Sequence, residues 1–262
     1  MKRTTLCLLA VLSCICVTTF ADEAPAPQQP KIRLAVYGDD GAGGWKRFPP
    51  LVENDPTIEM EVLNGQQIRD GALDKFDLII LPGGSGKGQG ASLGPEGVEK
   101  VKQFVASGKG FIGICAGAYF PIQQDFLNAQ TKDPRWQRGV TFLKIEFSEL
   151  GLKTFGDKYK GLQEIKYGNG PVMNINVFPD RPKVEVLAWY RTETAKNGTP
   201  EGIQINSPAM LLTTYGKGTM LILSPHPEQT PELHGLMMEM IRFIAQKSKD
   251  ACAATPESSD PE

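Results

Sequence analysis

The chain has 262 residues, 40% of them hydrophobic and 22% charged, with a formal charge of −2. Such a composition supports a substantial buried core, in one α/β domain of ordinary size or two small ones. Near-neutral charge without a basic block argues against nucleic acid as a partner.

Residues 1–30 stand apart from the rest. Lys2 and Arg3 precede an apolar run over 6–20, and Ala21 offers a small residue for cleavage. This pattern predicts a signal peptide over 1–21 and an exported protein, periplasmic or secreted, with a flexible leader over 22–30. The apolar run is too short to span comfortably, so no stable membrane span is expected after cleavage. "VLSC" over 11–14 loosely resembles a lipobox, but Leu12 suits it poorly and the run continues past Cys14. Lipid anchoring therefore ranks below free export. Cleavage removes Cys7, Cys14 and Cys16, leaving Cys115 and Cys252 with His226 and His234. Two cysteines make no disulfide scaffold, and no Cys/His spacing suits zinc. The sequence calls for no metal and no cofactor, and it assigns no oligomeric state. Residues 250–262 read as a disordered tail, which leaves 31–249 as a single domain.

In chain order, "KIRLAVYG" (31–38), "TIEMEVLN" (57–64) and "FDLIILPGG" (76–84) read as strands, the last of them covered on both faces. "LPGGSGKGQG" (81–90) reads as a flexible glycine loop. It fails as a phosphate loop, because Gly88 stands where Ser or Thr should follow Lys87. A helix follows from Pro95, with Val98, Val101 and Val105 on one face and Gly108 past its end. "GFIGI" (110–114) is another buried strand. Strand, helix and strand with short links predict a parallel sheet. Further strands fall at 139–147, 183–192, 208–215 and 218–225, with Gly216-Lys217 as a hairpin turn. The last helix begins with Thr230 as N-cap and Pro231 at its first position. Leu233, Leu236, Met237, Met240, Ile241 and Ile244 form its core stripe. The expected fold is a flavodoxin-like, doubly wound α/β domain. Its sheet is mostly parallel, with helices on both faces and an antiparallel extension.

Cys115 stands where "GFIGI" meets a helix start, inside Gly113-Ile114-Cys115-Ala116-Gly117. This is a nucleophile-elbow pattern, which lifts a side chain above the carboxyl ends of the strands. The helix N-terminus favours negative charge on the sulfur. A buried structural cysteine fits the same run, and "SPHPEQTPE" shifts the balance. His226 and Glu228 lie two apart after a strand, so Glu228 is placed to orient His226 as base towards Cys115. The N–H groups of Ala116 and Gly84 are candidates for an oxyanion site. His234 lies off the apolar stripe, and Cys252 falls in the tail.

"GICAGAYF", "YGNGPVM" (167–173), "VLAWYRT" (186–192) and "YGKGTMLILSPHPE" (215–228) resemble the class I glutamine amidotransferase-like superfamily. Within it the chain is most similar to the domain at the N-terminus of biotin-protein ligases, in its stand-alone bacterial form. The resemblance spans about residues 31–249 and implies a flavodoxin-like sheet with a Cys115–His226–Glu228 triad. Family members usually carry Gln four residues after the nucleophile, where this chain has Tyr119, and Leu where it has Ala116. Those departures argue against glutamine as substrate. An exported amidotransferase would also need an exported synthase to receive its ammonia. The expected activity is cysteine-dependent hydrolysis of a small-molecule or peptide-like amide, with Tyr119 beside the substrate. Two alternatives stay open: a ligand-binding or redox-sensing module that uses Tyr119, Trp189, Tyr190 and residues 168–171, and a true amidotransferase subunit.

Overall fold

Strand β1 (Ile32–Tyr37) is followed by a short 3-10 turn over Gly43–Arg47 and helix α1 (Pro49–Val52). Next come β2 (Ile58–Leu63), α2 (Gly65–Arg69), β3 (Leu78–Leu81), α3 (Gly86–Ala106), β4 (Gly110–Ile114) and α4 (Ala116–Gln123). The second half contains β5 (Ala129–Thr131), β6 (Val140–Phe147), α5 (Glu149–Phe155), β7 (Leu162–Gly168) and β8 (Met173–Ile175). It closes with β9 (Glu185–Tyr190), β10 (Pro208–Tyr215), β11 (Gly218–Leu223) and α6 (His234–Ala253). These elements belong to a computed structural model that describes residues 31–132, 139–194 and 200–254. The expected signal peptide and leader lie outside the described residues, as does the end of the expected tail. The start of that tail does not hold, because α6 continues through Ala253.

Nine strands form one sheet in the order β2-β1-β3-β4-β11-β10-β9-β6-β7, while β5 and β8 pair separately. From β2 to β11 the neighbours are parallel, and from β11 to β7 they are antiparallel. The expected sheet and its antiparallel extension are both present. Alternation along each strand sends side chains to opposite faces. Leu34, Val36, Leu78 and Ile80 pack with Leu236, Met240 and Ile244 of α6. Ala35, Tyr37, Ile79 and Leu81 pack with Val101 and Val105 of α3 and Phe120 of α4. Both faces are therefore covered, which explains the uninterrupted apolar runs of β3 and β4. Among the described residues no helix is long and apolar enough to cross a membrane.

Two local expectations are corrected. The glycine run after β3 is not a loop throughout. Ser85 caps a helix there, its side chain accepting from the Gly88 N–H, and a kink at Gly94 (φ 65°) separates that turn from the helix begun by Pro95. A good cap outweighs the poor helix propensity of glycine over so short a stretch. Thr230 does not cap α6. Its hydroxyl donates to the His226 carbonyl at 2.9 Å and accepts from the Lys166 N–H at 3.0 Å, and a 3-10 turn over Pro231–Leu233 leads into the helix.

Candidate active site

β4 ends at Ile114 and α4 begins at Ala116, so Cys115 alone makes the turn, at φ 52° and ψ −102°. A non-glycine residue there stores about 1–3 kcal/mol of strain, which the surroundings must hold. The Cys115 N–H donates to the Leu223 carbonyl at 2.8 Å, and its own carbonyl accepts from the Ala118 N–H at 3.0 Å. The helix can approach the sheet because residue 117 has no side chain: a Cβ there would lie 1.8 Å from the Leu81 carbonyl oxygen. The thiol is only 5% exposed and donates to the Gly168 carbonyl at 3.0 Å.

His226 follows β11 and is held against the outer edge of β7 by its N–H, which donates to the Lys166 carbonyl at 2.8 Å. Its Nδ1 lies 2.7 Å from Glu228 Oε1. An ionised carboxylate can only accept, so Nδ1 carries a hydrogen and Nε2 is turned away from the carboxylate. The Gln229 amide, 3.2 Å from the same Oε1, donates to the carboxylate. His226 is 5% exposed and Glu228 2%. Burial alone pulls the imidazole down, but the Glu228 carboxylate and hydrogen bonding with Cys115 outweigh it and push His226 up to about 10.

Gly83 and Gly168 bring the thiol and imidazole together. A Cβ on Gly83 would lie 2.7 Å from His226 Cε1 and 3.7 Å from Cys115 Cβ; one on Gly168 would lie 3.1 Å from His226 Nε2. Any side chain at residue 83 would wedge into the junction. Cys115 stands between two cavities. One, about 190 Å³, is lined by Gly84, Lys87, Ala116, Tyr119, Gln123 and Asn169. The other, about 320 Å³, is lined by Arg47, Gly83, Gly84, Lys166, His226 and Gln229. Among the described residues, neither the Gly84 nor the Ala116 N–H meets a protein acceptor, and both residues line the smaller cavity. Gly84 has φ 149°, and a Cβ there would lie 2.0 Å from the Gly41 carbonyl oxygen, so only glycine fits. The Tyr119 hydroxyl donates to the Asn169 carbonyl at 3.2 Å, and burial pushes its phenol up.

Residues 61–133 match the biotin-protein ligase N-terminal family. The matched stretch includes the Cys115 elbow and the Gly83-Gly84 turn. Solved structures extend the likeness over most of the chain. A GMP synthase subunit protein from Thermoplasma acidophilum superposes with a TM-score of 0.58 at 14% identity, covering 85% of this chain and 98% of that one. PurLQS from Thermotoga maritima superposes with a TM-score of 0.52 at 20% identity, again covering 85% and 98%. A cytoplasmic protein from Salmonella typhimurium reaches 0.55 at 11% identity, covering 81% and 98%. These likenesses show that the chain shares the α/β fold of those proteins.

Within this fold, Cys115, His226, Glu228, Gly84, Ala116 and Tyr119 are all brought to one place. Of the aromatic residues weighed for a ligand pocket, Tyr190 is core, its hydroxyl donating to Ser224 Oγ at 2.8 Å. His234 opens α6 half-buried, and Cys252 is an exposed free thiol on its last turn. Sequence reasoning missed Gly83, Arg47, Lys166 and Gln229. The "PGG" turn was a signal for Gly83, but nothing local marks the other three.

Proposed function

We propose that the protein is an exported cysteine hydrolase that cleaves an amide or peptide-like C–N bond through Cys115, His226 and Glu228. The observation that carries this reading is the 2.7 Å bond from His226 Nδ1 to Glu228, which leaves Nε2 facing Gly168, whose carbonyl holds the Cys115 sulfur. The reacting form is the thiolate–imidazolium pair, in which the one proton shared by Cys115 and His226 rests on Nε2 and is stabilised there by Glu228. The sulfur adds to the substrate carbonyl carbon, and the oxygen that gains charge is met by the Gly84 and Ala116 N–H groups. Collapse breaks the C–N bond, with the imidazolium protonating the departing amine. Water then cleaves the thioester, giving its proton to Nε2 and releasing a carboxylic acid.

In Cys115→Ala and in His226→Ala, amide turnover is expected to fall by at least about 10³-fold while circular dichroism and thermal melting persist. Activity left intact in either variant would overturn the reading. Export is checked separately: the N-terminus of the protein recovered outside the cytoplasm should begin close after Ala21.

The likeness to the GMP synthase protein favours a second reading, in which the chain serves an amidotransferase complex as its glutamine-cleaving member. Ammonia release from glutamine is its test. Tyr119, at the position where the family usually carries Gln, weighs against it.

A further inference from the structure

The cavity on the His226 side has a marked charge. Arg47 and Lys166 line it, and a second space of about 470 Å³ shares Arg47, Lys166 and Gln229 with it and is also lined by Lys46 and His234. Among the described residues neither Arg47 nor Lys166 has a carboxylate partner. Lys166 Nζ instead stands 5.1 Å from the centre of the Phe142 ring. The one acid that lines the second space, Glu228, is buried and bonded to His226. Two cations with no acidic partner therefore flank the thiol on the imidazole side.

That side has a definite meaning in a cysteine hydrolase. The group that protonates a departing amine must stand beside it, so the amine portion lies on the His226 side and the acyl portion in the smaller cavity beyond Cys115. Ammonia as leaving group would need no such space. Resting on the hydrolase reading, we propose that the leaving amine carries a carboxylate, held by Arg47 and Lys166. The substrates are then N-acyl amino acids or peptide-like amides with a free carboxylate on the departing residue. Arg47 offers the planar fork that matches a carboxylate, and Lys166 adds a point charge.

The test uses the full chain and needs no turnover. Cys115 is labelled with iodoacetamide while diglycine, an amine that bears a carboxylate, is titrated against glycylglycinamide, which lacks it. Diglycine is expected to protect the thiol at concentrations roughly tenfold or more lower than the amide. The preference should vanish in Arg47→Ala and in Lys166→Ala. Lys166→Gln serves as a second variant that keeps most of the side-chain stem. In Lys87→Ala, altered in the other cavity, the preference should persist. Equal protection by the two compounds, including none by either, overturns the proposal, as does a preference that depends on Lys87 alone. Failure of the hydrolase reading registers differently, as absent amide cleavage with carboxylate-selective protection intact.

Discussion

Glu228 Oε2 is buried and meets no hydrogen-bond partner among the described residues. Such an oxygen is costly unless its charge is balanced nearby, and His226 is the balancing group. The imidazole rises from 6.5 to about 10 in the fold, so it favours folding fully below pH 6.5 and progressively less as pH climbs through 10. Wild-type melting temperature should therefore drop across that window, and in Glu228→Gln the drop should flatten. Scanning fluorimetry over the pH range decides it, and a variant that loses as much stability as wild type would refute the pairing. Gly83→Ala should cut turnover far more than stability, because its new methyl group would enter the gap between His226 and Cys115. Comparing kcat with the denaturation midpoint checks this. Cys115, His226 and Glu228 were legible in the sequence because each lies in a short local pattern. Arg47 and Lys166 were not, since exposed basic residues are common and only the return of β7 beside the 43–47 turn gives these two a shared position.

The approach of α4 to β3 depends on one missing side chain. Gly117→Ala would drive a methyl group into the Leu81 carbonyl, and a loss of about 3 kcal/mol is expected in urea titrations. Thr230 makes a different kind of contact, joining the His226 carbonyl to the Lys166 N–H. Thr230→Val should cost about 1–3 kcal/mol, by leaving that N–H without its acceptor, and should lower turnover by loosening His226; urea titration and a kinetic assay read the two effects. The same residue shows why elements were only partly readable. Thr-Pro-Glu is a sound helix-start signal, yet a tertiary partner claimed the hydroxyl. The buried strands β3 and β4 were legible from apolar continuity alone. β7 was not, because "LQEIKYG" interleaves charges on an edge strand and shows no long apolar run.

For the whole molecule, overall charge and local charge point in opposite directions. The chain is slightly acidic at −2, yet the mouth beside Cys115 is cationic. Iodoacetate should therefore alkylate Cys115 faster, relative to iodoacetamide, than it does a free cysteine. That advantage should shrink as salt shortens the screening length to about 10 Å at 0.1 M and less above it. A ratio indifferent to salt would count against a local field. The sheet order could not be read from sequence: parallel-to-antiparallel reversal at β11 depends on pairings far apart in the chain, although the strands themselves alternate visibly.

β7 is the last strand of its sheet, and strands in that position usually offer unpaired groups to any passing chain. Here Lys166 meets the His226 and Thr230 segment through its backbone, and the Gly168 carbonyl takes the Cys115 thiol. The reactive groups thus act as a cover against unwanted strand addition. Damage to the 226–230 segment would uncover a docking edge, and its first visible symptom would be self-association of an otherwise folded protein.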